Sequence, residues 1–201
     1  MTLAFDTAGL EPGFSNPVFD SQSVFRNVLN AIAYPGAVEH LAHRPGTPEG
    51  VNPAMAAVAL TLCDLDTPVW CDAALTSEAV STYLRFHCGA PIVAEPAEAR
   101  FALIGDAVTM PRLAAFAAGD ERYPDRSATL VVAVPSLTEG PRRHWSGPGI
   151  LRRRTVAVAG LPDWFWEDWA LNQGLYPLGV DVLFACDDAV LGLPRGIAVK
   201  E

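Results

Sequence analysis

Nine residues in the middle of the chain, Thr129 to Leu137, constrain its fold more than any others. The run is rich in β-branched and apolar side chains with almost no polar alternation, the pattern of a strand covered on both faces. Such a strand needs a layer on each side, which places the chain among layered α/β architectures.

The flanking segments agree. Asp20 to Ala33 reads as a helix, with Val24, Phe25, Val28, Leu29 and Ile32 as one apolar stripe and Gln22, Ser23, Arg26, Asn27 and Asn30 opposite. Asp20 or Ser21 is its expected cap, and Pro35-Gly36 its stop. Asn52-Pro53 opens a second helix to about Leu62, apolar all round and so expected to be buried. Thr67 to Cys71 reads as a short strand, and Ser77 to His87 as a third helix with Thr76 as cap. Strands are expected at Pro91 to Glu95, Arg100 to Ile104 and Thr155 to Ala159, with a short helix between Pro111 and Gly119. A tryptophan-rich helix spans Pro162 to Gln173. The C-terminal part reads as a hairpin, Val180 to Cys186 and Ala189 to Leu193, turning on Asp187-Asp188. No repeat or linker interrupts the 201 residues, so a single domain over 1–201 is expected, with no strand order implied.

Charge narrows the function classes. A formal net charge of −9 argues against a general nucleic-acid or anionic-membrane binder, because phosphate groups repel such a surface. The basic residues comprise thirteen Arg and a single Lys, Lys200, so Schiff-base chemistry through an internal lysine is excluded while anion binding is not. Cys63, Cys71, Cys88 and Cys186 form no CxxC pair and read as reduced, mostly buried thiols. Met1 to Phe14 shows no basic-then-apolar leader pattern, and the apolar stretch Pro53 to Cys63 falls short of the roughly 20 residues that span a bilayer. A soluble, cytoplasmic protein is expected.

Candidate sites carry two readings each. Arg142, Arg143, His144, the Ser146-Gly147-Pro148-Gly149 turn and Arg152 to Arg154 place five of the thirteen arginines within thirteen residues. Read as a loop, this segment can grip phosphate oxygens through backbone N–H groups and Arg forks, or be a solvated loop paired to carboxylates. Gln22, Arg26 and Asn30 share one helix face, as an exposed surface or a ligand contact. Arg85 and His87 suit a helix C-terminus electrostatically, which accounts for both without catalysis. Glu39, His40 and His43 lack the further ligands that zinc requires, so no metal is expected, and no nucleophile–base arrangement stands out as catalytic. Trp164, Trp166 and Trp169 crowd one helix; core burial absorbs some, and the remainder suggests a protein interface, with Arg142 and Arg143 beside it.

Ordered strings across nearly the whole chain carry a resemblance. Gly13-Phe14, Gln22 with Phe25-Arg26, Pro35-Gly36, Leu60-Thr61-Leu62 with Asp64, and Asp66 to Trp70 open it. Arg85-Phe86-His87, Ala90-Pro91, Ala128 to Leu130 with Ser136-Leu137, Gly147 to Ile150, Pro177 to Asp181 and Leu193-Pro194-Arg195 continue it in order. Together they resemble the PhnH family, the H subunit of the bacterial carbon–phosphorus lyase. The resemblance implies a three-layer αβα sandwich with a mixed sheet, similar to pyridoxal-phosphate-dependent transferases but without the cofactor. It further implies homodimers that work with G, I and J subunits to join a phosphonate to the ribose of ATP, giving ribose 1-phosphonate 5-triphosphate.

The residues expected near ATP or phosphonate are Gln22, Arg26, Arg85, His87, Gly147, Gly149 and Arg195. Where the family pattern has Thr or Ser after Pro194-Arg195, this chain has Gly196, which removes any hydroxyl contact there. Two function classes follow: a subunit without stand-alone activity, structural or ligand-handling in role, and a stand-alone phosphate- or nucleotide-binding protein or small-molecule enzyme built on the Arg142 to Arg154 segment.

Overall fold

The computed structural model describes residues 10–201. The leader reading falls largely on residues 1–9, outside the described residues. Helix α1 (Pro17–Ala33) starts earlier than expected, because Pro17 stands in its first turn; Asp20, expected as the cap, instead accepts from the Asn16 backbone N–H at 2.9 Å. Strand β1 (Val38–His40) and helix α2 (Pro53–Leu62) follow, the latter capped by Asn52, whose side chain accepts from Met55 N at 2.8 Å. After β2 (Val69–Cys71), α3 (Glu78–His87) is capped by Ser77, not by Thr76.

Next come β3 (Phe101–Ile104), β4 (Thr129–Ala133), β5 (Arg142–Ser146), β6 (Arg154–Ala157) and α4 (Phe165–Gly174). Strands β7 (Asp181–Cys186), β8 (Ala189–Leu193) and β9 (Ala198–Lys200) complete the chain. Asp187, at φ 51°, turns the β7–β8 hairpin where the sequence placed it.

Six strands form a mixed sheet in the order β1-β8-β7-β4-β3-β2, in which β2, β3, β4 and β7 run parallel and β1 and β8 pair antiparallel. Its two faces bury alternate residues. Leu103, Val131, Leu183 and Val190 join α1, α2 and α3 in one core. Ala102, Leu130, Val182, Phe184 and Leu191 join α4 and a second sheet in the other. The central strand is therefore covered on both faces, as the Thr129 run requires. Gly192 of β8 lets α1 lie directly on the sheet, since a Cβ there would stand 2.4 Å from Ala31 O.

The second covering layer departs from an all-helical one. It combines α4 with a three-stranded antiparallel sheet, β6-β5-β9. The segment read as an arginine loop is thus largely β5 and β6. Its alternation of outward Arg142 and His144 with inward Arg143 and Trp145 was masked by charge on both faces. Two smaller expectations also change. Residues 91–95 contribute only a bridge from Ile92 to Val69, and the segment after Pro111 forms a 3-10 turn at Leu113–Ala115, where the buried Asp168 carboxylate takes the Leu113 N–H at 3.1 Å. Among the described residues, no helix is long and apolar enough to cross a membrane.

Candidate functional site

The residues around Gly149 and Arg195 come together where the end of α1, the β5–β6 turn and the loop after α4 meet. They border a groove of about 460 Å³ lined by Ala33, Pro124, Pro148, Gly149, Tyr176 and Arg195. Gly149, at φ 81°, allows this closure: a Cβ would lie 2.2 Å from Ala33 O. Arg154 fastens the same corner, donating to Pro35 O at 2.8 Å and to Tyr34 O at 3.0 Å.

Arg195 was expected to be free for an anion, and it is not. Its Nε donates to Asp181 Oδ1 at 3.1 Å, and one terminal nitrogen donates to Asp181 Oδ2 and Ser127 Oγ. The other terminal nitrogen reaches Pro124 O at 2.9 Å and Pro177 O at 3.5 Å. All five guanidinium donors are therefore taken by the chain itself, so Arg195 ties three loops together beneath the groove.

Gln22 and Arg26 stand exposed on α1, and Arg26 has no ionic partner among the described residues. The helix buries only part of the stripe read from its sequence: Val24 and Val28 are buried and Ile32 packs partly against the core. It buries Asp20, Val24, Val28 and Ala31, and leaves Phe25 at 50% and Leu29 at 55% exposure. Asp20 also turns inward, pairing with Asn16 N and with His43 Nδ1 at 3.1 Å, while Ala31 seats on Gly192. Val18, Gln22, Phe25, Leu29 and Ala33 then form a continuous outward row at i, i+4, i+7, i+11 and i+15, which ends at the groove. Asp20 being buried, this row displays no carboxylate.

His87 serves the fold. Its Nε2 lies 3.0 Å from Glu11 O and its ring packs on Tyr83 and Phe86, which fastens the segment around Gly13 to α3. Arg85 is exposed on the same last turn. Neither residue lines the groove.

The tryptophan helix divides its side chains. Trp169 is 1% exposed and donates to Ile197 O at 2.9 Å, so it belongs to this chain's own core and is withdrawn from any partner surface. Trp164 and Trp166 are half-buried against that core; the Arg112 guanidinium lies 4.7 Å from the Trp164 ring centre, and Trp166 meets Trp145 edge-on. Arg143 is half-buried and donates to Glu201 at 2.7 Å, whereas Arg142, Arg152 and Arg153 are exposed with no ionic partner among the described residues.

Sequence reasoning missed the buried carboxylates. Asp168, 5% exposed, is held by Arg112 through Nε and a terminal nitrogen. Asp72, 3% exposed, accepts from Asp106 N at 2.9 Å, but its Oδ1 has no partner. The sequence signal was an Asp directly after an apolar strand for Asp72 and an Asp inside the tryptophan-rich helix for Asp168. Burial holds the Asp72 carboxyl above its ordinary value of 3.8, outweighing the backbone hydrogen bonds that favour its charge. A raised folded value means that the favourable protonated state is present at low pH and is lost as pH rises through that value. Asp72→Asn, which fills the same space without charge, is expected to gain stability relative to the native chain between pH 4 and pH 7, read from urea unfolding at several pH values.

Glu39, His40 and His43 each take a separate partner: Asn27, Asp188 and Asp20. Among the described residues no group of three or more His, Cys, Asp and Glu is placed to hold a metal ion. The four cysteines are free thiols, and burial pushes Cys71 up to about 12 and Cys88 up to about 11, which makes them poor nucleophiles.

Comparison with known proteins adds a family to this geometry. The family described as "Bacterial phosphonate metabolism protein (PhnH)" matches residues 12–200. A protein of Rhizobium meliloti (strain 1021), "Alpha-D-ribose 1-methylphosphonate 5-triphosphate synthase subunit PhnH", is 42% identical over 182 residues, covering 90% of this chain and 91% of that protein. The "Putative C-P lyase subunit protein HtxG" of Stutzerimonas stutzeri is 29% identical over 178 residues, covering 87% of this chain and 83% of its own length.

Proposed function

The chain belongs to the PhnH family of bacterial phosphonate metabolism proteins, and from that premise we propose that it works as a subunit of a cytoplasmic carbon–phosphorus lyase assembly. In that assembly a phosphonate is joined to the ribose of ATP to give ribose 1-phosphonate 5-triphosphate, and this chain has a structural or ligand-handling role alongside G, I and J subunits. The observation that carries the reading is the outward row of α1. A helix that exposes Val18, Phe25 and Leu29 in register along its whole length, with no carboxylate among them, is built to be covered by another subunit.

The stand-alone reading finds less support. At the groove beside Gly149 the expected anion ligand, Arg195, is already saturated by its own chain. A likeness to the pyridoxal-phosphate transferase fold without its cofactor belongs to the same proposal. It is supported by helices on one face of a mixed sheet and by the position of the only lysine, exposed on β9. Homodimer formation is part of the proposal as well.

The test is capture of tagged protein from cells starved of phosphate. The native chain is expected to recover G, I and J subunits. The double variant Phe25→Asp/Leu29→Asp is expected to weaken that capture about 30-fold, as loss of an apolar anchor pair does at interfaces. Undiminished recovery by the variant overturns the α1 assignment. Loss of self-association by the isolated variant, read by sedimentation, would assign α1 to a second copy instead.

A further inference from the structure

The outer face of the small sheet concentrates positive charge on an acidic chain. Strand pairing places His144 opposite Thr155 on one side and Lys200 on the other, with Arg142 two residues along β5 on the same face. Arg142 and Lys200 are exposed without ionic partners among the described residues. Arg142, Thr138 and Thr155 also line a pocket of about 390 Å³, whose remaining wall includes Val38, Leu137 and Val156 and which contains no carboxylate.

We infer that this pocket binds a phosphorus oxyanion, a phosphonate or a phosphate ester. Arg142 supplies a planar fork whose donors have no partner among the described residues, the geometry suited to two oxygens of a tetrahedral anion. Thr155 Oγ1 stands 3.2 Å from His144 Nδ1. With the proton on Nδ1, the imidazole donates to the threonine oxygen and leaves the hydroxyl hydrogen for the anion. Lys200, one strand further, adds unpaired charge without closing the pocket. Val38, Leu137 and Val156 offer an apolar wall to the carbon substituent of the ligand. The site stands apart from the α1 row; its phosphonate ligand rests on the function proposed above, and its location on the geometry of Arg142 and Thr155.

The experiment is calorimetric titration of the full chain with methylphosphonate and, separately, with inorganic tripolyphosphate, in about 0.15 M salt so that diffuse charge effects are screened. Saturable binding of at least one probe is expected. Arg142→Gln is expected to weaken it about tenfold or more, as removal of a charged hydrogen-bonding partner does. Thr155→Val should weaken it several-fold, and Arg152→Gln at the hairpin tip should leave it unchanged. Preference for methylphosphonate identifies a phosphonate site, and preference for tripolyphosphate a phosphate-ester site. Absence of saturation by either probe, or binding that Arg142→Gln leaves intact, overturns the inference. Partner capture is measured separately, so failure here leaves the assembly reading standing, and the reverse.

Discussion

Trp169→Ala is expected to cost about 4 kcal/mol of folding stability, within the range for deleting a large aromatic from a closed core. The midpoint of thermal unfolding should fall by about 10 °C for a chain of this size. The side chain is 1% exposed in the core between α4 and the main sheet, and its Nε1–H satisfies Ile197 O just before β9. Removing it leaves both a cavity and an unpaired buried carbonyl. Two phenylalanine variants separate these effects. Trp169→Phe loses the hydrogen bond and should remain clearly destabilised. Trp145→Phe removes an indole N–H that is buried without a partner, so its loss of packing should be partly offset. Equal losses from the two phenylalanine variants in urea unfolding would contradict this account of Trp169.

Arg195→Ala should cost about 3 kcal/mol, toward the lower end for breaking a buried ion pair because the partners keep some solvent contact. The Arg195 and Asp181 side chains are 15% and 23% exposed. Without the Arg195 side chain, half-buried Asp181 loses its cation and keeps only the backbone N–H of residue 195, and Ser127 Oγ and Pro124 O lose their donor. Arg195→Lys should rescue little, since one ammonium cannot reproduce a fork that serves a carboxylate and two loops at once. Asp181→Leu combined with Arg195→Met should recover at least about 1 kcal/mol of the single-variant loss, because no charge is then stranded. The groove gives a second readout: hydrogen exchange around residues 124–127 and 176–177 should quicken in Arg195→Ala and stay slow in Arg142→Gln. A stable Arg195→Ala chain with native exchange would show that Arg195 is dispensable to the groove, and would reopen it as an anion ligand.

Much of the architecture was legible because local periodicity and turn chemistry agreed with the tertiary result. Asn52-Pro53 announced α2, whose apolar circumference matched its burial, and Asp187-Asp188 marked the turn of the hairpin. What was not legible depended on partners distant in sequence. Phe25 and Leu29 look like core residues by spacing, but the face that packs on the sheet runs through Val24, Val28 and Ala31, which sits against Gly192 far along the chain. Trp169 and Trp166 look equivalent in a string, but only Trp169 reaches Ile197 O. Arg195 and Arg142 are both arginines beside glycine or proline, and their difference lies in Asp181 and Ser127, which one meets and the other does not.

The sequence by itself determined that the chain is a layered α/β protein, that it has no internal lysine for Schiff-base chemistry, and which family its ordered strings belong to. These depend on composition, on periods of 2 and 3.6 residues, and on order along the chain, all of them local or one-dimensional properties. The tertiary structure alone decided that β9 joins β5 and β6 to build a second sheet, that Arg195 is spent on its own loops, and that Arg142 is left open. Those outcomes depend on which side chains and strand edges meet across 14 to 71 residues of intervening chain, and a pairing at that range leaves no period in the sequence to be read.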